Sequence, residues 1–399
     1  CIPVLLKDQV ETRDMPTTYG SALFEGFVSG RDATIVVRMQ EAGAIILAKT
    51  NMGEFASRYV GSAFGVIRNA YDPTRNPSGS SGGTGSGIAA NFGMVGIGED
   101  TGGSGRGPAA YCGVVGLRPT FTRVSRFGMT PMCWFMDAAA PMTKTVEDCA
   151  VTLGAIAGRD PRDPWTWDVP VPDYRAALTG DVSALKIGLV KEFLDPDVLG
   201  VTEPVRQGVL DAAQLLAGLG AEVEEVSLPL APISGIASRI ISSVERTSLR
   251  PEWLRERPQD FHHNTRIAFT AGELIPSQIY YKAQKLRALV RKQTLDALER
   301  YDVLAMPIDS EPATIMDMRP GVRSKEAAIQ ALRRGSYRGL FSMVSGPALS
   351  VCCGFTSDGE GKLPLALQLA GRPFDEATVL NVAHAYQQNT AWHLERPPI

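Results

Sequence analysis

Apolar residues fall into two kinds of block along the chain. Short, nearly continuous runs rich in Val, Ile and Leu predict strands covered on both faces. These are Val4–Leu6, Ala44–Ala48, Met94–Gly98, Ala184–Val190, Ala221–Val226, Val303–Met306, Ser342–Phe355 and Leu363–Leu369. Longer stretches predict helices at Ala33–Ala42, Thr145–Ala157, Glu203–Leu219, Ser277–Tyr301 and Ala377–Gln388. Glu147 and Asp148 stand in the first turn of the second of these, where the helix dipole favours acidic groups. Strands alternating with helices predict an α/β fold built on a sheet.

Between the blocks lie punctuated segments. Tyr71–Ser80 contains Pro73 and Pro77 and reads as a loop. The stretch from Gly158 to Asp173, rich in Pro and Asp, reads as a surface connection. Cys1–Leu6 reads as the middle of a strand, which predicts a further segment upstream of Cys1. No internal repeat interrupts this pattern.

Charge and cysteine content narrow the function classes. The 399 residues carry 40 Lys and Arg against 43 Asp and Glu, with a formal net charge of -3 and no block of like charge. That argues against a nucleic-acid groove or a surface for anionic membranes. No run approaches the roughly 20 apolar residues of a membrane span, and no signal peptide is visible. The cysteines are Cys1, Cys112, Cys133, Cys149, Cys352 and Cys353, none of them in a Cys-x-x-Cys pair. The pattern predicts a reduced, cytoplasmic protein without a zinc site. Adjacent Cys352 and Cys353, in a strand-like stretch, should point to opposite faces.

The chemistry concentrates in Asn76-Pro77-Ser78-Gly79-Ser80-Ser81-Gly82-Gly83-Thr84-Gly85-Ser86-Gly87. A flexible linker is one reading, but the run continues directly into an apolar segment. A phosphate cradle would end in Gly-Lys-Ser/Thr, and no Lys occurs between Ser80 and Arg106. A nucleophile elbow of the Gly-x-Ser-x-Gly type would follow a strand and need a downstream His. Only His262, His263, His384 and His393 are available, in polar, helical or terminal positions. The remaining reading is a serine-rich site with a lysine base. Such a base must be uncharged, whereas a Lys ammonium ordinarily has a pKa near 10.4, so burial or its neighbours must lower it. Lys7, at the end of the apolar run Val4-Leu5-Leu6, fits that need.

These residues resemble a family. Pro77–Pro108 is similar to the amidase signature, a Ser- and Gly-rich block ending in Thr-Gly-Gly-Ser-x-Arg-x-Pro. Here the ending is Thr101-Gly102-Gly103-Ser104-Gly105-Arg106-Gly107-Pro108, with Ser80 and Ser104 spaced as in that family. Val4-Leu5-Leu6-Lys7-Asp8 resembles its lysine strand, and Lys49-Thr50-Asn51-Met52-Gly53-Glu54-Phe55 its Lys-Thr-Asn-Met-x-Glu-Phe segment. Tyr111–Thr120, Arg123–Arg126, Pro141-Met142-Thr143 and Leu365–Pro373 continue the likeness.

The resemblance implies one large α/β domain over 1–399, with a central mixed, twisted sheet surrounded by helices. Its catalytic core would span about 1–157 and 302–399, and 158–301 would shape the substrate pocket. It implies that Ser104 attacks the acyl carbon while Ser80 relays the proton to neutral Lys7. Ser80 would follow a cis peptide from Gly79. The backbone N–H groups of Thr101, Gly102, Gly103 and Ser104 would form an oxyanion hole. Asp100 and Arg106 would pair to brace the loop, and Ser81 would hydrogen-bond near Lys7. No metal or cofactor is implied.

The expected activity is cleavage of carbon–nitrogen acyl bonds, in an amide, a carbamate (urethane) or with an ester as further substrate. The alternative is the glutamine-hydrolysing subunit of a tRNA-dependent amidotransferase. A catalytically dead scaffold is disfavoured by the joint presence of Lys7, Ser80 and Ser104. Partners are expected to be limited to a small-molecule amide or carbamate, without nucleic acid or membrane, and with room for a homodimer. Trp134-Phe135-Met136 hints at an aromatic or aliphatic acyl group. Three positions depart from the family pattern: Ser78 where glycine is usual, Gly105 where an aliphatic residue is usual, and Glu99 where a small residue precedes Asp100. Gly105 is expected to loosen packing behind the nucleophile and widen the pocket.

Overall fold

A computed structural model describes residues 1–57, 61–249, 251–318, 324–356 and 361–398. Ten strands form a single sheet: β1 (Ile2–Lys7), β2 (Ala44–Thr50), β3 (Val95–Glu99), β4 (Val115–Arg118), β5 (Ala139–Thr143), β6 (Lys186–Val190), β7 (Glu222–Val226), β8 (Val303–Pro307), β9 (Ala348–Phe355) and β10 (Pro364–Gly371). Their spatial order is β2-β1-β3-β5-β4-β9-β10-β8-β6-β7. The sheet is mixed. β1 pairs in parallel with β2 and β3, and β6 with β7 and β8, whereas the central neighbours from β3 to β8 are antiparallel. β6 and β7, from the stretch between 158 and 301, extend the same sheet.

Helices cover both faces, which is why β3, β9 and β10 read as continuous apolar runs. The two edges differ. β7 carries Glu222, Glu224 and Glu225, charges of the kind that discourage further strand pairing. β2 exposes Ile45 and Leu47 at the other edge. Cys352 and Cys353 are both buried in β9, and the six cysteines are free.

The first three helices are α1 (Thr34–Glu41), α2 (Gly82–Ala89) and α3 (Arg106–Tyr111), of which α2 and α3 flank the site. Further along the chain, helices Ser234–Ser248 and Lys325–Val344 cross at close range. There a Cβ on Gly235 would collide with the Leu332 carbonyl and the Ser336 N–H. Gly235→Leu should therefore force the pair apart and cost about 1–3 kcal/mol, the usual scale of overpacking. Urea denaturation checks this; an unchanged midpoint would refute the close-packed crossing.

Candidate active site

The register of two parallel strands sets the site. Leu6 of β1 lies beside Ile97 of β3, so Lys7, which closes β1, falls next to Gly98, one residue before Glu99, which closes β3. Crevices at the carboxyl ends of strands are where open α/β sheets bind ligands. Lys7, Ser80 and Glu99 are all fully buried here. Lys7 Nζ donates to Ser80 Oγ at 2.8 Å and to Glu99 Oε2 at 2.9 Å.

Ser80 arrives on a tight turn just ahead of α2. The Gly79–Ser80 peptide bond is cis, and Ser78 holds a left-handed φ of 63°. That conformation explains why glycine is usual at position 78. The Ser78 hydroxyl accepts from Arg338 Nη1 at 2.8 Å, and its N–H donates to Asn76 Oδ1 at 2.9 Å. Ser81 bonds to Glu99, the residue paired with Lys7. Its hydroxyl donates to the Glu99 carbonyl and accepts from the Glu99 N–H, each at 3.2 Å, so it fastens the turn to the β3 backbone and not to Lys7. A side chain on Gly98 would come within 2.8 Å of that hydroxyl.

The second serine sits on the loop between β3 and α3. The Ser81 N–H donates to the Ser104 carbonyl at 3.2 Å, tying this loop to the Ser80 turn. Asp100 organises the loop. Its carboxylate accepts from the N–H groups of Gly103 (2.9 Å), Gly105 (3.2 Å) and Arg106 (3.2 Å). It also accepts from Arg106 Nε at 2.9 Å and Nη2 at 3.0 Å, a bidentate pair with no solvent exposure. Burial works against this charge, but Arg106 and then Arg118 outweigh it and hold Asp100 well below the usual carboxylate range. Gly103 needs its positive φ of 96°, and a Cβ there would strike the Arg338 side chain.

Of the four N–H groups expected to face an oxyanion, that of Gly103 is therefore committed to Asp100. Among the described residues, the N–H groups of Thr101, Gly102 and Ser104 meet no acceptor. Gly102 is exposed and Ser104 is half-buried, so this part of the loop faces outward. Gly105 does not open a pocket. It is buried, and a Cβ there would lie 2.5 Å from Cβ of Ala140 in β5, so the missing side chain admits the neighbouring strand.

Glu99 reaches beyond Lys7. The Thr101 hydroxyl contacts Glu99 Oε1 and also Asp137 Oδ1, the latter at 2.7 Å. Asp137 further accepts from the N–H groups of Met132 at 2.6 Å and Cys133 at 2.9 Å. Burial, then the charge of Glu99, pushes Asp137 up to about 7. Gln9, Glu99 and Asp137 line a cavity of about 200 Å³ together with Phe127, Trp134 and Trp165. The two indoles meet edge to face at 5.3 Å.

The sequence singled out Glu99 only as a departure from pattern, and it did not single out Asp137, Arg118 or Arg338. For Glu99 the signal was partial, since parallel pairing of the two strands brings their ends within one residue of each other. The other three depend on tertiary contacts with no local signature. The histidine alternative has no geometric support: His262 caps helix His263–Glu273, its Nδ1 accepting the Asn264 N–H at 3.3 Å. Among the described residues, no group of three or more His, Cys, Asp or Glu side chains is placed to hold a metal ion. No described helix is long and apolar enough to cross a membrane.

Comparison with known proteins supplies the family. A family model described as Amidase matches residues 1–380. A glutamyl-tRNA(Gln) amidotransferase subunit from Geobacter metallireducens is 37% identical over 428 residues, covering 100% of this chain and 85% of that protein. The crystal structure of the corresponding subunit from Thermotoga maritima, which bears the same name, superposes with a TM-score of 0.83 at 32% identity, covering 98% of this chain and 83% of that one. A further structure has a TM-score of 0.87 at 29% identity, covering 97% and 83%; it is described as a vestigial protein complex that reveals the origins of an s-triazine catabolic enzyme. These names overturn the expectation of a chain whose partners are limited to a small-molecule substrate and a second copy of itself, without nucleic acid. The relatives are subunits, and the name of their enzyme includes a transfer RNA.

The position of Asp137 has a consequence for stability. A carboxyl raised from 3.8 to about 7 by folding stays protonated in the folded chain where the unfolded chain has ionised. Its contribution is therefore fully present below about pH 4 and is lost as pH rises toward 7, by at most about 1.4 kcal/mol per unit. Denaturation at pH 5 and pH 7 should show the wild type losing stability relative to Asp137→Asn. Parallel behaviour of the two proteins would count against the raised value.

Proposed function

The chain belongs to the amidase family, and we propose that it hydrolyses a carbon–nitrogen acyl bond through an acyl-enzyme on Ser104. One observation carries the reading: a fully buried lysine amine lies 2.8 Å from the Ser80 hydroxyl, on a turn hydrogen-bonded to the backbone of Ser104. Ser104 Oγ forms the bond to the acyl carbon as its proton moves to Ser80, and the Ser80 proton moves to the Lys7 lone pair. The N–H groups of Thr101, Gly102 and Ser104 receive the developing oxyanion, while the Asp100–Arg106 pair fixes the loop that presents them. The proton then returns through Ser80 to the leaving nitrogen, without which an amine departs poorly. Water repeats the sequence on the acyl-enzyme.

The relatives support glutamine as the amide cleaved, with the chain acting as one member of an amidotransferase assembly that includes protein partners. A second reading is a hydrolase of aryl amides or carbamates, favoured by the cavity where Trp134 and Trp165 stand beside Glu99. Ammonia release from glutamine and hydrolysis of an anilide, measured on the purified chain, separate the two. Faster turnover of glutamine supports the amidotransferase reading, and faster turnover of the anilide supports the second.

Both readings require the same relay. Ser104→Ala should abolish covalent labelling by phenylmethylsulfonyl fluoride; labelling that survives would place the nucleophile elsewhere. Lys7→Ala should lower amide turnover by about 10²–10⁴-fold, the usual contribution of general acid–base catalysis. Turnover of an activated ester should fall less, because its leaving group needs less protonation. Equal losses on both substrates would argue against the relay.

A further inference from the structure

The relay just proposed needs Lys7 without a charge, yet the chain encloses a carboxyl group beside it. Lys7 Nζ and Glu99 Oε2 are 2.9 Å apart, and neither side chain has appreciable contact with solvent. An ammonium beside a carboxylate and an amine beside a carboxylic acid differ only in which side of that hydrogen bond holds the proton. Both forms have the same net charge, so exchange between them needs no proton from water.

A second contact bears on where the protons of this cluster sit. The Thr101 hydroxyl touches both Glu99 Oε1 and Asp137 Oδ1. A hydroxyl has one hydrogen and can donate to one of them only. The other contact is between acceptors unless a carboxyl oxygen carries a hydrogen, which the Thr101 oxygen then accepts. Burial of Asp137, raised to about 7, agrees with a retained proton.

Resting on the acyl-enzyme reading above, we infer that Glu99 is a positioning residue for the base: its Oε2 takes a proton from Lys7 and so supplies the neutral amine without release of a proton to solvent. In this step an N–H bond of Lys7 breaks, an O–H bond of Glu99 forms, and the two opposite charges cancel. The freed lone pair on Nζ then accepts the Ser80 proton. Thr101 and Asp137 hold the far oxygen of Glu99 in place. The charged groups around Glu99 are Lys7 from β1, Asp137 ahead of β5, Arg118 at the end of β4, and Asp100 and Arg106 on the following loop. Arg126, Arg162 and Asp163 share its cavity.

The test is the pH dependence of Ser104 labelling by phenylmethylsulfonyl fluoride between pH 6 and 8, in the wild type, Glu99→Gln and Glu99→Ser. With an internal acceptor, the wild-type rate should change by less than about threefold across this range, because the reactive form differs from the resting form by no proton. In both variants Lys7 has no internal proton acceptor, so the rate should gain a pH dependence that the wild type lacks. A merely structural Glu99 would leave the slopes of all three proteins alike, and that result overturns the inference. If neither variant folds, the wild-type profile decides: a tenfold rise per unit overturns it, a flat profile sustains it. Absence of labelling at Ser104 in the wild type instead removes the acyl-enzyme reading, and this inference with it.

Discussion

A carboxylate without access to water holds the Ser104 loop together. Asp100 gathers three main-chain N–H groups and two Arg106 nitrogens around its two oxygens. Arg106 in turn reaches Gln368 of β10 at 2.5 Å and Ser342 at 3.1 Å, so the loop is anchored to an element far away in sequence. A buried pair of this kind is weak evidence of net stability, since desolvation offsets most of its attraction. Removing one partner is another matter and typically costs about 3–5 kcal/mol, because a bare charge is left inside. The pair therefore fixes geometry. With Gly103 turned to Asp100, the N–H groups on either side of it are left facing the open side of the loop.

The relay is built from the ends of strands for a related reason. Two parallel strands that end within one residue of each other bring their last side chains together, and the sheet that supports them is covered on both faces. Lys7 thereby gains burial without a cavity of its own, and Ser80 needs only the turn before α2 to reach it. Three separate segments meet with few long side chains to order. The Ser81 hydroxyl, bonded twice to the backbone of Glu99, keeps that turn from drifting along β3.

Much of this was legible in the sequence, and the exceptions have physical causes. Seven of the ten strands appear as apolar runs, and β7 reads as a strand although three of its five residues are Glu. β4 spans only Val115–Arg118, and β5 contains Pro141, a residue that ordinarily argues against an interior strand. The run Ser342–Phe355 is divided: Ser342–Val344 end a helix, Ser345 adopts a left-handed φ of 65°, and the strand begins only at Ala348. Helices Ser234–Ser248 and Lys325–Val344 carry Gly235, Gly335 and Gly339 at their crossing, which weakens their local signal while allowing their contact. In the site, Lys7, Ser80 and Ser104 were legible because a motif marks them. Asp137 was not, since nothing near it in sequence reveals that it meets Thr101 where β3 and β5 run side by side.

The three departures from the family pattern show how differently a fold absorbs change. At Ser78 the left-handed backbone is retained, and Arg338 takes up the added hydroxyl. At Gly105 Ala140 fills the place a side chain would take, so no pocket opens behind Ser104. Both are settled by packing and leave the reacting groups unchanged. Glu99 is of another kind, because a carboxyl group cannot be enclosed without a partner for its charge. Its partners are Lys7 on one oxygen and Thr101, shared with Asp137, on the other. Accommodating that residue therefore places a carboxyl group against the Lys7 amine, whereas the other two departures touch only packing.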